Sequence, residues 1–145
     1  MDYRNAFVIS ASGMNIEKLR LDTSAVNLAN IHSTKGADGK LFRPLRVTSV
    51  EGTANFAAEF EQLQGVTLHG AVVKNVEATD VTPHKVYEPG HPDADDKGFV
   101  SMPGINQVAE MVTIASALRA YEANVVAMNA AKRMALKALD LGGSQ

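Results

Sequence analysis

The run NQVAEMVTIASALRAYEANVVAMNAAKRMALKALDL, Asn106 to Leu141, decides the architecture of this chain. Within it Ile114, Leu118, Tyr121, Val125, Met128, Ala135 and Leu139 recur at alternating spacings of three and four, and Lys132 stands at the one place where the rhythm breaks. That spacing is the apolar stripe of a coiled-coil type of helix. Ala117, Ala120, Ala123, Ala127, Ala130, Ala131 and Ala138 flank the stripe with the best helix former, no proline interrupts it, and Gly142-Gly143 supplies a C-terminal stop. The pattern predicts one helix of roughly 35 residues, about 50 Å long at about 1.5 Å per residue.

A helix of that length needs an apolar partner of comparable length, and one other stretch offers it. Phe7, Ala11, Met14, Leu21, Ala25 and Leu28 repeat at helical spacing over residues 3 to 30, with Lys18 at the skipped position. The predicted fold is therefore α+β, with the N- and C-terminal long helices paired as a coiled-coil-like hairpin around a small β-rich insert. Residues 1–30 and 105–145 form the helical part, and residues 31–104 the insert. Phe7, Met14, Leu21 and Leu28 on one helix, and Ile114, Leu118, Tyr121, Val125, Met128 and Leu139 on the other, make the expected assembly seam.

Gly13 is the anomaly of the first helix. A helix-interior glycine costs about 1 kcal/mol relative to alanine, so it predicts a kink or a close approach of another part of the chain. Asn27, Asn30 and the cluster Ser33, Thr34, Gly36 and Gly39 mark the helix exit. Leu41 to Val50 reads as an edge strand opened by Pro44. Residues 54 to 64 read as a short helix or a loop, Val66 to Ala78 as a strand bent at Gly70, and Val81 to Glu88 as a further β-segment ending in Pro89-Gly90. Residues 89–104, with Pro89, Pro92, Pro103 and three glycines, read as a loop of fixed shape feeding the last helix.

Composition narrows the function classes. With 145 residues, 46% of them hydrophobic, one ordinary core can form. The formal net charge of −2 lacks the basic excess of a nucleic-acid binder, and Arg119, Lys132, Arg133 and Lys137 read as a solvated helix face. There is no cysteine, hence neither a disulfide framework nor a thiolate metal site. No apolar run approaches the roughly 18 residues of a membrane-spanning helix. The short run Ala6 to Ile9 follows Asp2 and continues into the helical stripe, so no cleaved signal peptide is expected.

The polar cluster from His91 to Gly98 is the one candidate for metal chemistry. Counted from Asp93, it places Asp95 third, Gly98 sixth and Val100 eighth, as a calcium loop would, but Lys97 takes the fifth position and Gly104 the twelfth, where a bidentate glutamate belongs. The aspartates read instead as turn formers. No serine or histidine pattern forms a triad, no phosphate-binding glycine motif is present, and Glu110 and Glu122 read as solubility charges. No enzymatic activity, cofactor or small-molecule substrate is expected.

Three stretches together carry a family resemblance. Ser10-Ala11-Ser12-Gly13-Met14, Arg20-Leu21-Asp22-Thr23 and Asn27-Leu28-Ala29-Asn30 resemble the N-terminal signature of the bacterial flagellar axial proteins, which include rod, hook and hook-filament junction proteins. Glu110-Met111, Arg119-Ala120-Tyr121-Glu122-Ala123-Asn124 and Asn129-Ala130-Ala131-Lys132 are similar to their C-terminal signature. The stretch from Val86 to Asp95, with Gly98-Phe99-Val100 and Pro103, resembles the basal-body rod family in particular, and a proximal-rod member within it. Gly104-Ile105-Asn106 departs from the family's asparagine-rich helix entry, and residues 31 to 65 match little.

The resemblance implies a structural subunit of a hollow drive shaft that crosses the periplasm and carries torque from the membrane ring to the hook. Its implied partners are other rod proteins, the adaptor between membrane ring and rod, and copies of itself. It also implies export without a cleaved signal through the flagellar type III apparatus. The alternatives are another axial-family member, with the short insert arguing against the hook, and a metal-binding enzyme built on His91, Asp93, Asp95 and Asp96.

Overall fold

The computed structural model describes residues 3–36, 38–52 and 70–142. Its elements in chain order are α1 (Tyr3–Ala29), β1 (Leu45–Glu51), β2 (Ala71–Ala78), β3 (His84–Tyr87), β4 (Phe99–Met102) and α2 (Gln107–Gly142). The fold is α+β, a hairpin of two long helices enclosing a small antiparallel β-region, as the two apolar stripes predict. The segment 54 to 64, read above as a helix or loop, and the first residues of the strand read from Val66 lie outside the described residues.

The chain packs into two compact units, each drawing on both helices. One comprises Met1–Leu19, Ser49–Lys74 and Ala117–Gln145, and the other Arg20–Thr48 and Asn75–Ser116.

In the first unit the helices meet through small residues. Ala117 and Ala131 of α2 are buried, as are Ser10 and Ile16 of α1. Gly13 produces no kink: α1 runs unbroken through it, and a Cβ placed there would lie 2.8 Å from both Oδ1 and Nδ2 of Asn124. The Asn124 amide is itself tied to its own helix, Nδ2 donating to the Ala120 carbonyl at 2.9 Å. Glycine is thus required by the side chain that fills its place. Gly13→Ala should destabilise by about 1–3 kcal/mol in spite of alanine's better helix propensity. In an Asn124→Ala background the same substitution should become stabilising, a reversal of sign that four denaturant melts would read.

A second close approach lies beside it. Gly70 packs its backbone on Ser12 of α1, whose hydroxyl donates to the Ile9 carbonyl at 2.8 Å. Gly52 N donates to Gly70 O at 3.0 Å, so the ends of β1 and β2 close over α1 through two glycines.

In the second unit β1 starts directly after Pro44, whose ring has no N–H to give a ladder but whose carbonyl accepts from Thr79 N at 2.7 Å. Inner and outer residues then alternate along β1, the period of a half-covered strand. β3 and β4 pair antiparallel with His84 opposite Met102, Lys85 opposite Ser101, Val86 opposite Val100 and Tyr87 opposite Phe99. Part of the stretch 89–104, expected to be loop throughout, is therefore strand. Val100 and Met102 point into the core and Phe99 and Ser101 outward, while Phe99 meets Tyr87 edge to face at 5.3 Å.

Asn27 holds this unit together. It is fully buried, its Oδ1 accepts from Leu45 N at 2.8 Å, and its Nδ2 donates to Leu45 O at 2.9 Å. One amide side chain thereby satisfies both backbone groups of the first residue of β1, as a neighbouring strand would. Asn30 keeps the role of closing the helix, its Nδ2 donating to Val26 O at 2.8 Å. At the other end Pro103 and Ile105 are buried and Asn106 caps α2, its Oδ1 accepting from Ala109 N at 3.1 Å.

Candidate functional site

The structure separates the ten residues of the expected seam into two groups. Phe7, Met14, Leu21, Leu28, Ile114, Tyr121, Val125 and Met128 are half-buried within the chain, whereas Leu118 is 47% and Leu139 71% exposed. Leu118 stands outside because α2 turns Ala117 inward at that level, and the small side chain permits the close helix approach seen at Gly13. Among the described residues, no part of α1 stands opposite Leu139. With Gly13 level with Asn124 in a hairpin, Tyr3, ten residues before Gly13, lies opposite roughly residue 134, and α2 continues to Gly142.

The outer surface is unequally apolar. Val108, Met111, Val112, Leu118, Val126, Met134, Leu136, Leu139 and Leu141 are exposed on α2, against Val8 and Val26 on α1. Among the described residues, exposed apolar surface is therefore concentrated on α2, the usual mark of an interaction face. Among the described residues no helix is long and apolar enough to cross a membrane.

Glu110 departs from its expected role as a solubility charge. It is only 2% exposed; its Oε1 lies 3.3 Å from Arg46 Nη2, and its buried Oε2 has no hydrogen-bond partner. The first turn of α2 places it inward, where Arg46 reaches it from the outward-facing side of β1. Sequence reading missed both this pair and the Asn27 clasp. The signal available was a polar residue on the buried face of an otherwise amphipathic helix.

The loop before α2 spends its polar groups on its own shape. Asp95 Oδ1 accepts from the backbone N–H groups of Lys97 and Phe99, each at 2.9 Å, and Oδ2 faces Lys85 Nζ at 3.6 Å. Asp93 accepts from the Thr34 hydroxyl at 2.6 Å and pairs with Lys35 at 3.4 Å, while His91 Nδ1 accepts from Asp93 N at 3.1 Å. Among the described residues no group of three His, Asp or Glu side chains is placed to hold a metal ion. Gly98 has φ 77° and would set a Cβ 2.9 Å from Tyr87 Cε2 and 3.1 Å from Pro89 Cβ.

Gly98→Val should accordingly cost about 3 kcal/mol through backbone strain and overlap, whereas Asp95→Asn, which keeps the acceptor, should leave the melting temperature close to that of the parent. Both carboxyls are held below the ordinary carboxylate range, Asp93 chiefly by the Thr34 hydroxyl and Asp95 chiefly by the Phe99 N–H. A carboxyl that is more acidic folded than unfolded contributes stability above its unfolded pKa and loses it as pH falls through the folded value. The loop should therefore loosen below about pH 4, visible as faster exchange of the Lys97 and Phe99 amides.

A family model described as the C-terminal region of flagellar basal body rod FlgEFG proteins matches residues 96–141, the span of β4 and α2. The flagellar basal-body rod protein FlgC of Escherichia coli O6:H1 is 41% identical over 138 residues, 95% of this chain and 96% of that one. This chain belongs to the FlgC family of basal-body rod proteins. FlgC of Salmonella typhimurium is 37% identical over 95% of the chain, and FlgC of Bacillus subtilis 34% identical over 92%, covering 96% and 94% of those relatives. The FlgC likeness thus runs through both helices and the β-region between them.

Proposed function

We infer that this chain is a non-enzymatic structural subunit of the bacterial flagellar basal-body rod. The observation that carries the reading is the likeness to FlgC proteins over 92–95% of the chain, from organisms as different as Escherichia coli and Bacillus subtilis. The exposed apolar face of α2 supports it physically. Such a face, set against a different surface of the next copy or of a related rod protein, makes a heterologous contact, and heterologous contacts that do not close build helical tubes.

At a finer level, we propose that the subunit lies in the proximal rod, within the periplasm, and contributes to the hollow shaft that carries torque to the hook. Its neighbours would be other rod proteins, the membrane-ring adaptor and copies of itself, after export through the flagellar type III apparatus. Residues 1–30 and 105–145 would form the axial core and residues 31–104 its outward insert. The resemblance of Ser10 to Asn30 and of Glu110 to Lys132 to the axial signatures supports this division.

In this reading Leu118 and Leu139 are seam residues that touch neighbours, the other eight serving first the hairpin. Leu118→Asp should leave the isolated chain folded, because the side chain is already half in water, yet block rod assembly by placing a charge in an apolar contact. A strain lacking the chain, complemented with Leu118→Asp, should make the protein but show no rods in isolated basal bodies. Normal swimming of that strain would remove Leu118 from the seam, and intact rods in the deletion strain would remove the rod function itself.

A further inference from the structure

In the loop after β3 a histidine does what asparagine or aspartate does in most turns. Asp93 N donates to His91 Nδ1 at 3.1 Å, a side chain accepting from the backbone two residues on, which is the arrangement of an Asx turn. The backbone around it is tied at further points: His91 N donates to Glu88 O and Ala94 N to His91 O, each at 3.1 Å, and Asp95 N to Phe99 O at 2.8 Å. The Asp93 carboxylate, placed by this turn, reaches the segment after α1, where it accepts from the Thr34 hydroxyl at 2.6 Å and faces Lys35 Nζ at 3.4 Å. His91 thus positions the residue that fastens the loop to that segment, and all of these residues lie in the second unit.

An amide or carboxylate oxygen in such a turn accepts at neutral and mildly acid pH alike, whereas an imidazole nitrogen accepts only while it carries no proton. A proton on Nδ1 turns the acceptor into a donor aimed at the Asp93 N–H, and the bond is lost. The new charge has a partner close by. The Asp93 carboxyl is held below the ordinary carboxylate range first by the Thr34 hydroxyl and then by Lys35 and the charge of His91, so imidazolium and carboxylate attract one another. The remaining charged groups of the loop are engaged elsewhere or in solvent: Asp95 accepts from Lys97 N and Phe99 N and faces Lys85 Nζ at 3.6 Å, while the side chains of Glu88, Asp96 and Lys97 are exposed.

We propose that His91 is a proton-operated latch. With Nδ1 unprotonated the turn is closed and Asp93 is held against Thr34 and Lys35; with Nδ1 protonated the turn opens and the imidazolium draws Asp93 back, releasing the segment after α1 from the loop that leads through β4 into α2. Imidazole is the side chain whose charge changes between about pH 5 and 8, so this step stands apart from the loosening expected when the loop carboxylates take up protons. The latch belongs to the folded chain and does not depend on the rod reading.

The test is a nuclear magnetic resonance titration of the full chain from pH 8 to pH 5, in the parent and in His91→Asn, whose side-chain oxygen accepts throughout that range. At pH 8 the parent should show the nitrogen shift of an unprotonated Nδ1. As the ring takes up its proton, protection of the Asp93 amide against exchange should fall about fivefold, the factor that one ordinary hydrogen bond contributes, and the Overhauser contact between Thr34 and Asp93 should weaken in step. In His91→Asn both should stay constant. The proposal is overturned by a protonated Nδ1 at pH 8, by Asp93 protection that does not change as the ring titrates, by a Thr34 contact that survives opening of the turn, or by the same step in His91→Asn. The first three outcomes are read in the parent alone, so the decision does not hang on the variant.

Discussion

Asn27→Ala is expected to cost about 2–5 kcal/mol and to raise the hydrogen-exchange rate of the Leu45 amide by more than tenfold. Both backbone groups of Leu45 are paired with the Asn27 side chain at 2.8 and 2.9 Å, in a place where Asn27 is fully buried. Truncation leaves an N–H and a C=O unpaired where water does not reach, at about 1–3 kcal/mol each, plus the cavity left by the amide. Asn27→Asp separates the two bonds. It keeps an acceptor for Leu45 N but turns a carboxylate oxygen toward Leu45 O, so it should be at least as damaging as alanine. An aspartate variant as stable as the parent would show that the donated bond contributes nothing.

Arg46→Ala should be nearly as severe, at about 3 kcal/mol. Glu110 is buried to 2% exposure, and Arg46 Nη2 is its ion-pair partner among the described residues. Removing one member of a buried pair strands the other, typically at about 3–5 kcal/mol; the lower end applies because the Arg46 side chain is 52% exposed. The charge itself contributes little net stability: one carboxylate oxygen is already unpartnered. Arg46→Met with Glu110→Leu should therefore recover most of the loss. A thermodynamic cycle over the two single variants and the double, followed by urea unfolding, would show a coupling of about 2 kcal/mol or more. Additive single effects would mean that the pair seen at 3.3 Å carries no energy.

These two sites also mark where sequence reasoning stopped. Alternating spacings of three and four located α1 and α2 to within a residue or two, because helical periodicity is a local property written over many turns. The inner face of the hairpin was not legible in the same way. Large apolar residues drew the stripe through Leu118, whereas Ala117 and Ala131 lie inside, since what the hairpin rewards at those levels is closeness. β4 was hidden by the prolines and glycines around it, although Val100 and Met102 alternate with Phe99 and Ser101 in four residues.

Asn27 and Glu110 were read as a helix exit and a surface charge because their partners, Leu45 and Arg46, adjoin each other on a strand far along the chain. Only tertiary structure makes such polar residues core residues. Gly13 was legible as a glycine with a purpose, and the structure supplies the reason: a side chain in the vacant Cβ position.

The overhang of α2 beyond α1 has a consequence for the timing of construction. Met134, Leu136, Leu139 and Leu141 are exposed on turns that no described part of α1 faces, and turns without packing are marginal in water. In the rod-subunit reading proposed above, the folding free energy of that end would be completed by the surface it lands on, so that ordering and incorporation would be one event.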